Sequence, residues 1–178
     1  MCLIALSVEK SKDWNGKESY FFKIIANRDE YHERKTTVMH WWSNKEILAG
    51  KDEEAGGTWL GTNREGKFGA ITNLKENSAI KYDSSRGALV TDFLESNLSA
   101  KAYLEEIEPV MENYAGFNLI VGDKKGLFYL CNRLEGIFFI SEGVHALGNL
   151  TLNSSTKKVE AIKHDLNDIL HEGFSIEK

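Results

Sequence analysis

A cysteine stands at position 2, directly behind the initiator methionine. If Met1 is removed, Cys2 becomes the first residue and carries a thiol and a free α-amine on one carbon skeleton. The amine titrates near ~8 and the thiol near ~8.5. A nucleophile and its base then sit side by side, and a terminal amine can activate a side-chain nucleophile. The plainer reading makes Cys2 a small residue opening a buried strand. Cys2-Leu3-Ile4-Ala5-Leu6 continues apolar, and free cysteines are commonly buried and inert.

The second group is Asn27-Arg28-Asp29-Glu30, four polar residues after the apolar run 21–26. A strand end on a sheet rim is a usual place for a site. Arg28 beside a thiolate would lower its pKa and grip a substrate carboxylate. Asp29 would accept from a terminal ammonium. Neighbouring strand residues point to opposite faces, so Arg28 and Asp29 share a site only where the strand has already ended. A solvated loop with a local ion pair is the alternative. Asn73 and Asn149 each follow a strand-like run. They suit oxyanion donors and, equally, turn formers. Trp59 lies in Gly56-Gly57-Thr58-Trp59-Leu60-Gly61, which lacks the spacing of a phosphate loop. Its glycines suit a tight bend or a close approach to a ligand, and its tryptophan suits core packing. Met39-His40-Trp41-Trp42 forms an aromatic patch that would line a flat apolar ligand or simply pack. The five histidines include no pair four residues apart, and no CxxC, CxxCH or HExxH spacing occurs, so no metal site is expected.

These side chains need a scaffold. Residues 2–8 and 20–27 read as strands joined by the polar connection 10–17. Residues 58–62 and 67–74 form a second pair around Asn63-Arg64-Glu65-Gly66, a hairpin composition. In 86–98 the residues Leu89, Val90, Phe93, Leu94 and Leu98 recur at helical spacing. Ser99 suits the cap of a following helix, which Pro109 should end or kink near Glu108. Strands return at 118–123, 127–132, 137–140 and 144–147, and a helix over 156–171 closes the chain. Hairpins with short turns and grouped helices predict an α+β fold with antiparallel sheets.

The chain has 178 residues, 42% of them hydrophobic, and a net charge of −5. One domain with a real core is expected, without a nucleic-acid footprint. No run approaches the ~20 apolar residues of a membrane helix. No signal-peptide core precedes Glu9, so an intracellular, cytoplasmic protein is expected. Two cysteines, Cys2 and Cys131, do not make a disulfide framework.

The ordered set Met1-Cys2-Leu3-Ile4, Ala26-Asn27-Arg28-Asp29-Glu30, Gly57-Thr58-Trp59-Leu60-Gly61 and Thr72-Asn73 resembles the NRDE-motif family, that of transport and Golgi organization protein 2. The likeness continues through Ser85-Arg86-Gly87, Gly116-Phe117-Asn118-Leu119, Gly122-Asp123, Asn132-Arg133 and Gly148-Asn149. The resemblance implies an αββα sandwich of antiparallel sheets with helices outside, similar to the N-terminal-nucleophile hydrolases. In the cysteine amidohydrolases of that superfamily an arginine and an aspartate after the second strand support the terminal cysteine, and Arg28 and Asp29 match by position. Asn73 and Asn149 are then the oxyanion candidates. Two features depart from the pattern. A late-strand arginine of the amidohydrolases has no counterpart, and family members usually continue into more strands after the closing helix. The expectation is one domain over residues 1–178, lacking the family's C-terminal strands.

Family members are linked to haem trafficking, to acyl-CoA and lipid homeostasis, and to Golgi organisation. The first expectation is therefore a carrier of an amphipathic small molecule, haem ahead of acyl-CoA. Asn27, Arg28 and Trp59 would contact that cargo, beside Trp41 and Trp42, and no cofactor is required. The alternative is a cysteine amidohydrolase or thioesterase, with Cys2 as nucleophile and Arg28, Asp29, Asn73 and Asn149 around it.

Overall fold

The computed structural model describes residues 2–12, 15–74, 82 and 84–172. Two strands run from the amino end: β1 (Leu3–Lys12) and β2 (Glu18–Asn27). Four follow, β3 (Thr36–Trp41), β4 (Ile47–Asp52), β5 (Leu60–Asn63) and β6 (Phe68–Asn73). Helices α1 (Arg86–Glu95) and α2 (Ala100–Ile107) lead through a 3-10 turn, Glu108–Asn113, to β7 (Phe117–Asp123). Then come β8 (Gly126–Cys131), β9 (Phe138–Ile140), β10 (Gly143–Leu147) and α3 (Lys157–Glu172). Among the described residues no helix is long and apolar enough to cross a membrane.

The strands form two antiparallel sheets. One has three strands in the order β10-β1-β2. The other has seven, β3 through β9 in sequence order. In β1, alternate side chains serve two layers. Leu3 and Ala5 pack with Val159 and Leu166 of α3. Ile4, Leu6 and Val8 meet Phe68, Ala70, Ile120, Leu127 and Tyr129 of the other sheet. On the far face of the seven-stranded sheet, Ile71, Leu119 and Val121 pack against Leu89, Val90 and Phe93 of α1 and Leu104 of α2. The layers are thus α3, three strands, seven strands, then α1 and α2: the αββα sandwich that the resemblance implied.

Local signals explain most boundaries. The Ser99 side chain accepts from Ala102 N–H at the start of α2, a cap of about 1 kcal/mol. Pro109 lies in the first turn of the 3-10 segment, where its missing N–H costs nothing. Two strands exceed the sequence expectation. β3 contains Met39, His40 and Trp41 of the expected aromatic patch, and β4 follows it. Val38 and Met39 of β3 stand opposite a single residue, Gly50, at a register shift between Thr37 and His40. That bulge breaks the period-two alternation by which a strand is recognised. The expected 10–17 connection is shorter, because β1 continues to Lys12; its residues 13 and 14 lie outside the described residues.

Candidate functional site

The β1–β2 ladder ends at Leu3 opposite Asn27. One step further, Cys2 and Arg28 come abreast at the rim of the sandwich. By alternation Cys2 shares the inter-sheet side with Ile4. It opens into a cavity of about 550 Å³ that is also lined by Arg28, Asp29, Trp59, Asn73 and Asn149. Five residues distant in sequence thus gather around the cysteine. Asn27 does not. It is exposed and absent from the cavity wall, because its parity on β2 matches Phe21 and Ile25 on the outer face. Arg28 and Asp29 both line the cavity because β2 has ended at Asn27.

The Cys2 thiol is half-buried, and burial pushes its pKa up. The Asp29 backbone N–H, the terminal ammonium and the Arg28 guanidinium pull it back in part, while Glu30 pushes it further up. Asp29 is held below the usual carboxylate range by a hydrogen bond from the terminal ammonium and by that ammonium's charge. That ammonium is Met1's, and removal of Met1 would pass the terminal amine to Cys2; Met1 itself lies outside the described residues.

Arg28 is not a bare cation. Its Nη2 donates to Glu30 Oε2 and to Asp52 Oδ2, each at 3.1 Å. Asp52 ends β4, on a strand the sequence did not announce. Its Oδ2 also accepts from Arg34 Nε at 2.7 Å, and its Oδ1 accepts from the N–H groups of Glu54 and Ala55 at 3.1 Å. Burial alone would raise the Asp52 carboxyl, but the Arg34 bond and the two amides outweigh it and hold it low. Arg28, Glu30, Arg34, Asp52 and Trp59 also line a second hollow of about 530 Å³, together with Tyr31, Val38 and Met39.

The far wall is set by a buried polar network. Asn149 Nδ2 donates to the Asn73 carbonyl at 2.6 Å, so the two oxyanion candidates are neighbours. Thr72 Oγ1 donates to the Gly148 carbonyl at 2.8 Å. Asn118, with no exposed surface, donates to Thr72 Oγ1 at 3.2 Å and to the Leu150 carbonyl at 3.0 Å. It accepts from Tyr129 O–H at 2.7 Å. These bonds tie residues 148–150, which follow β10 of one sheet, to β6, β7 and β8 of the other. Asn118 was visible only as part of a motif, and its role appears once the strands are paired.

The remaining wall comes from α1. Ser85, Arg86 and Gly87 line the cavity, and the first turn is pressed onto residues 57–58. A Cβ on Gly57 would lie 2.7 Å from the Gly87 carbonyl carbon. These glycines therefore let two backbones meet; the partner is a helix, where a ligand was the sequence alternative. Trp59 is half-buried between both large cores while it lines both hollows. Trp41 and Trp42 correct an expectation: neither lines the Cys2 cavity. Trp42 is buried, with Nε1 donating to the Ala49 carbonyl at 3.2 Å. Trp41 lies under the Arg64 guanidinium, 4.1 Å from its ring centre. Of the histidines, His32 lines the second hollow.

The family model described as Transport and Golgi organisation 2 matches residues 1–178. The mouse Transport and Golgi organization 2 homolog is 37% identical over 153 residues, covering 80% of this chain and 55% of the relative. The human homolog is 35% identical over the same length and shares. The chain thus spans about half the length of the curated relatives it matches, 55% of each. Among solved structures, a Caenorhabditis elegans N-acylethanolamine-hydrolyzing acid amidase ortholog aligns with TM-score 0.59 at 10% identity. The alignment covers 97% of this chain and 80% of that one. At that identity the likeness is one of fold.

Proposed function

The chain belongs to the transport and Golgi organisation 2 family, and from that premise we propose that its cavity is the site of a cysteine N-terminal-nucleophile hydrolase acting on an amide or thioester. The observation that carries this reading is the half-buried Cys2 thiol in a cavity shared with Arg28, Asp29, Asn73 and Asn149. After removal of Met1, the Cys2 amine takes the thiol proton as sulfur attacks the substrate carbonyl. The carbonyl oxygen becomes an oxyanion, for which the Asn73 and Asn149 carboxamides lining the same cavity are the donors. Collapse expels the amine or thiol, which leaves with the proton, and an S-acyl intermediate remains. Water, deprotonated by the same amine, cleaves it and regenerates Cys2.

A carrier of an amphipathic metabolite such as haem or an acyl-CoA is the second reading. It is favoured by the hollow that adjoins the site, where Val38 and Met39 are 82% and 55% exposed. Against it stands Arg28, which would meet the cargo's acidic group but already carries two carboxylates on Nη2. Intact mass of the purified protein is the first test, followed by turnover of a panel of acyl amides and acyl thioesters. The hydrolase loses Met1 and loses all turnover on Cys2→Ala with its fold retained. Retention of Met1 in every molecule sinks the mechanism. A haem Soret shift that survives Cys2→Ala supports the carrier.

A further inference from the structure

We infer that Asp52 is the positioning residue of this site, clipping Arg28 and Arg34 to the end of the seven-stranded sheet and so fixing the guanidinium that stands beside Cys2. Its catalytic meaning rests on the hydrolase reading; its geometry does not. Residues 28–35 carry the chain from β2 of one sheet to β3 of the other. Nothing in that segment is a strand, so its two arginines need an anchor. Asp52 supplies one from β4, where it pairs with Thr36 in the ladder. Each of its oxygens accepts twice: Oδ2 from Arg28 and Arg34, Oδ1 from the amides of Glu54 and Ala55. The Asp52 backbone is held too. Its N–H donates to the Gly57 carbonyl at 2.9 Å, and its carbonyl accepts from Gly56 N–H at 2.8 Å. The carboxylate is therefore preorganised before the arginines arrive, and its side chain is only 13% exposed. A charge-assisted bond in that setting fixes orientation more firmly than a surface pair.

The clip also has an electrostatic consequence. Arg28 favours the Cys2 thiolate, and Asp52 spends part of that positive charge. The other charged groups around the thiol are Asp29 and Glu30 on its own side, Arg86 at the start of α1, and the terminal ammonium. Lys158 of α3 acts on Asp29. Asp52 and Arg34 can be substituted with Cys2, Arg28, Asp29 and Glu30 all left in the sequence.

The test is the pH dependence of Cys2 alkylation by iodoacetamide in the intact chain, with the labelled residue located by peptide mass. Asp52→Asn keeps an acceptor for the two amides and removes the charge. It releases Arg28 from its anchor and should lower the alkylation rate at fixed pH by about three- to tenfold, as the profile moves to higher pH. Arg34→Gln leaves Asp52 on Arg28 and should move the profile less. Glu54→Gln, an exposed carboxylate 3.6 Å from Arg34 Nη1, should leave it in place. A profile in folded Asp52→Asn that coincides with wild type, or that moves to lower pH as loss of a negative charge alone would move it, overturns the assignment. A lowered melting temperature with an unmoved profile does the same, because it leaves only a structural clip. If Asp52→Asn does not fold, Asp52→Glu, which keeps the charge but displaces the carboxylate, decides by the same shift. Absence of turnover in every protein, with the shifts intact, sinks the hydrolase reading and leaves this one standing.

Discussion

Asn118 has no exposed surface, and both ends of its carboxamide are engaged. Replacing it by alanine leaves Tyr129 O–H, Thr72 Oγ1 and the Leu150 carbonyl each short of a partner. Asn118→Ala should therefore cost about 2–4 kcal/mol, read as a lowered urea midpoint with an unchanged slope. The same change loosens residues 148–150, so Asn149 should lose its place beside Asn73 and any turnover should fall with stability. His145 offers a pH test. Burial, the first cause, lowers its pKa, and Lys163 adds to that, against a Ser141 backbone contact that raises it. Its Nδ1 faces Asn153 Nδ2 at 3.0 Å, and its Nε2 faces the Ser141 carbonyl at 2.9 Å. The neutral ring, donating through Nε2 and accepting through Nδ1, satisfies both. The folded pKa lies below the unfolded one, so the unfolded chain takes the proton first as pH falls. Stability should be whole above the ordinary imidazole range and decline below it. His145→Gln should flatten thermal melts between pH 7 and pH 5; an unchanged slope would count against this account.

Among the elements, α1 is held by contact of backbone with backbone. Gly57→Ala places a methyl carbon 2.7 Å from the Gly87 carbonyl carbon and 2.9 Å from its oxygen, and neither atom belongs to a side chain that can rotate away. The helix start must shift, taking Ser85 and Arg86 with it. We expect a loss of about 1–3 kcal/mol and faster hydrogen exchange in the first turn of α1; a melting temperature equal to wild type would refute the contact's importance. Element by element, the helices were legible because their apolar positions recur at one period, and Ser99 and Pro109 mark real boundaries. β3 and β4 were not legible. The bulge at Val38 and Met39 interrupts alternation, and Lys51 and Asp52 give the end of β4 the look of a loop. With β4 unseen, Asp52 had no address, and its partnership with Arg28, 24 residues away, could not be anticipated. Cys2, Arg28 and Asp29 were legible because a terminal thiol and a charged strand end are unusual in themselves. Asn27 was over-read: the motif contains it, but strand parity turns it outward.

At the scale of the whole molecule, the two sheets are assembled on different terms. Every neighbour in the seven-stranded sheet is a neighbour in sequence, from β3 to β9. The three-stranded sheet requires β1 to meet β10, with Ile4 opposite Leu147. Local pairings close short loops and form readily, whereas a pairing across nearly the whole chain must first overcome the entropy of bringing its ends together. The cavity inherits the slower term, because Cys2 enters with β1 and Asn149 arrives just after β10. During refolding, amides of the β7–β8 hairpin should gain protection before the Cys2 thiol becomes shielded from a pulse of alkylating reagent; simultaneous shielding would argue against this order. On the ribosome the asymmetry is sharper. β1 is made long before β10, and Cys2 waits for that later strand before its surroundings exist. Synthesis therefore contains an interval in which the thiol is present and solvent-exposed, without the walls that would direct it. The nascent thiol therefore stays open to oxidants until β10 has emerged and paired with β1.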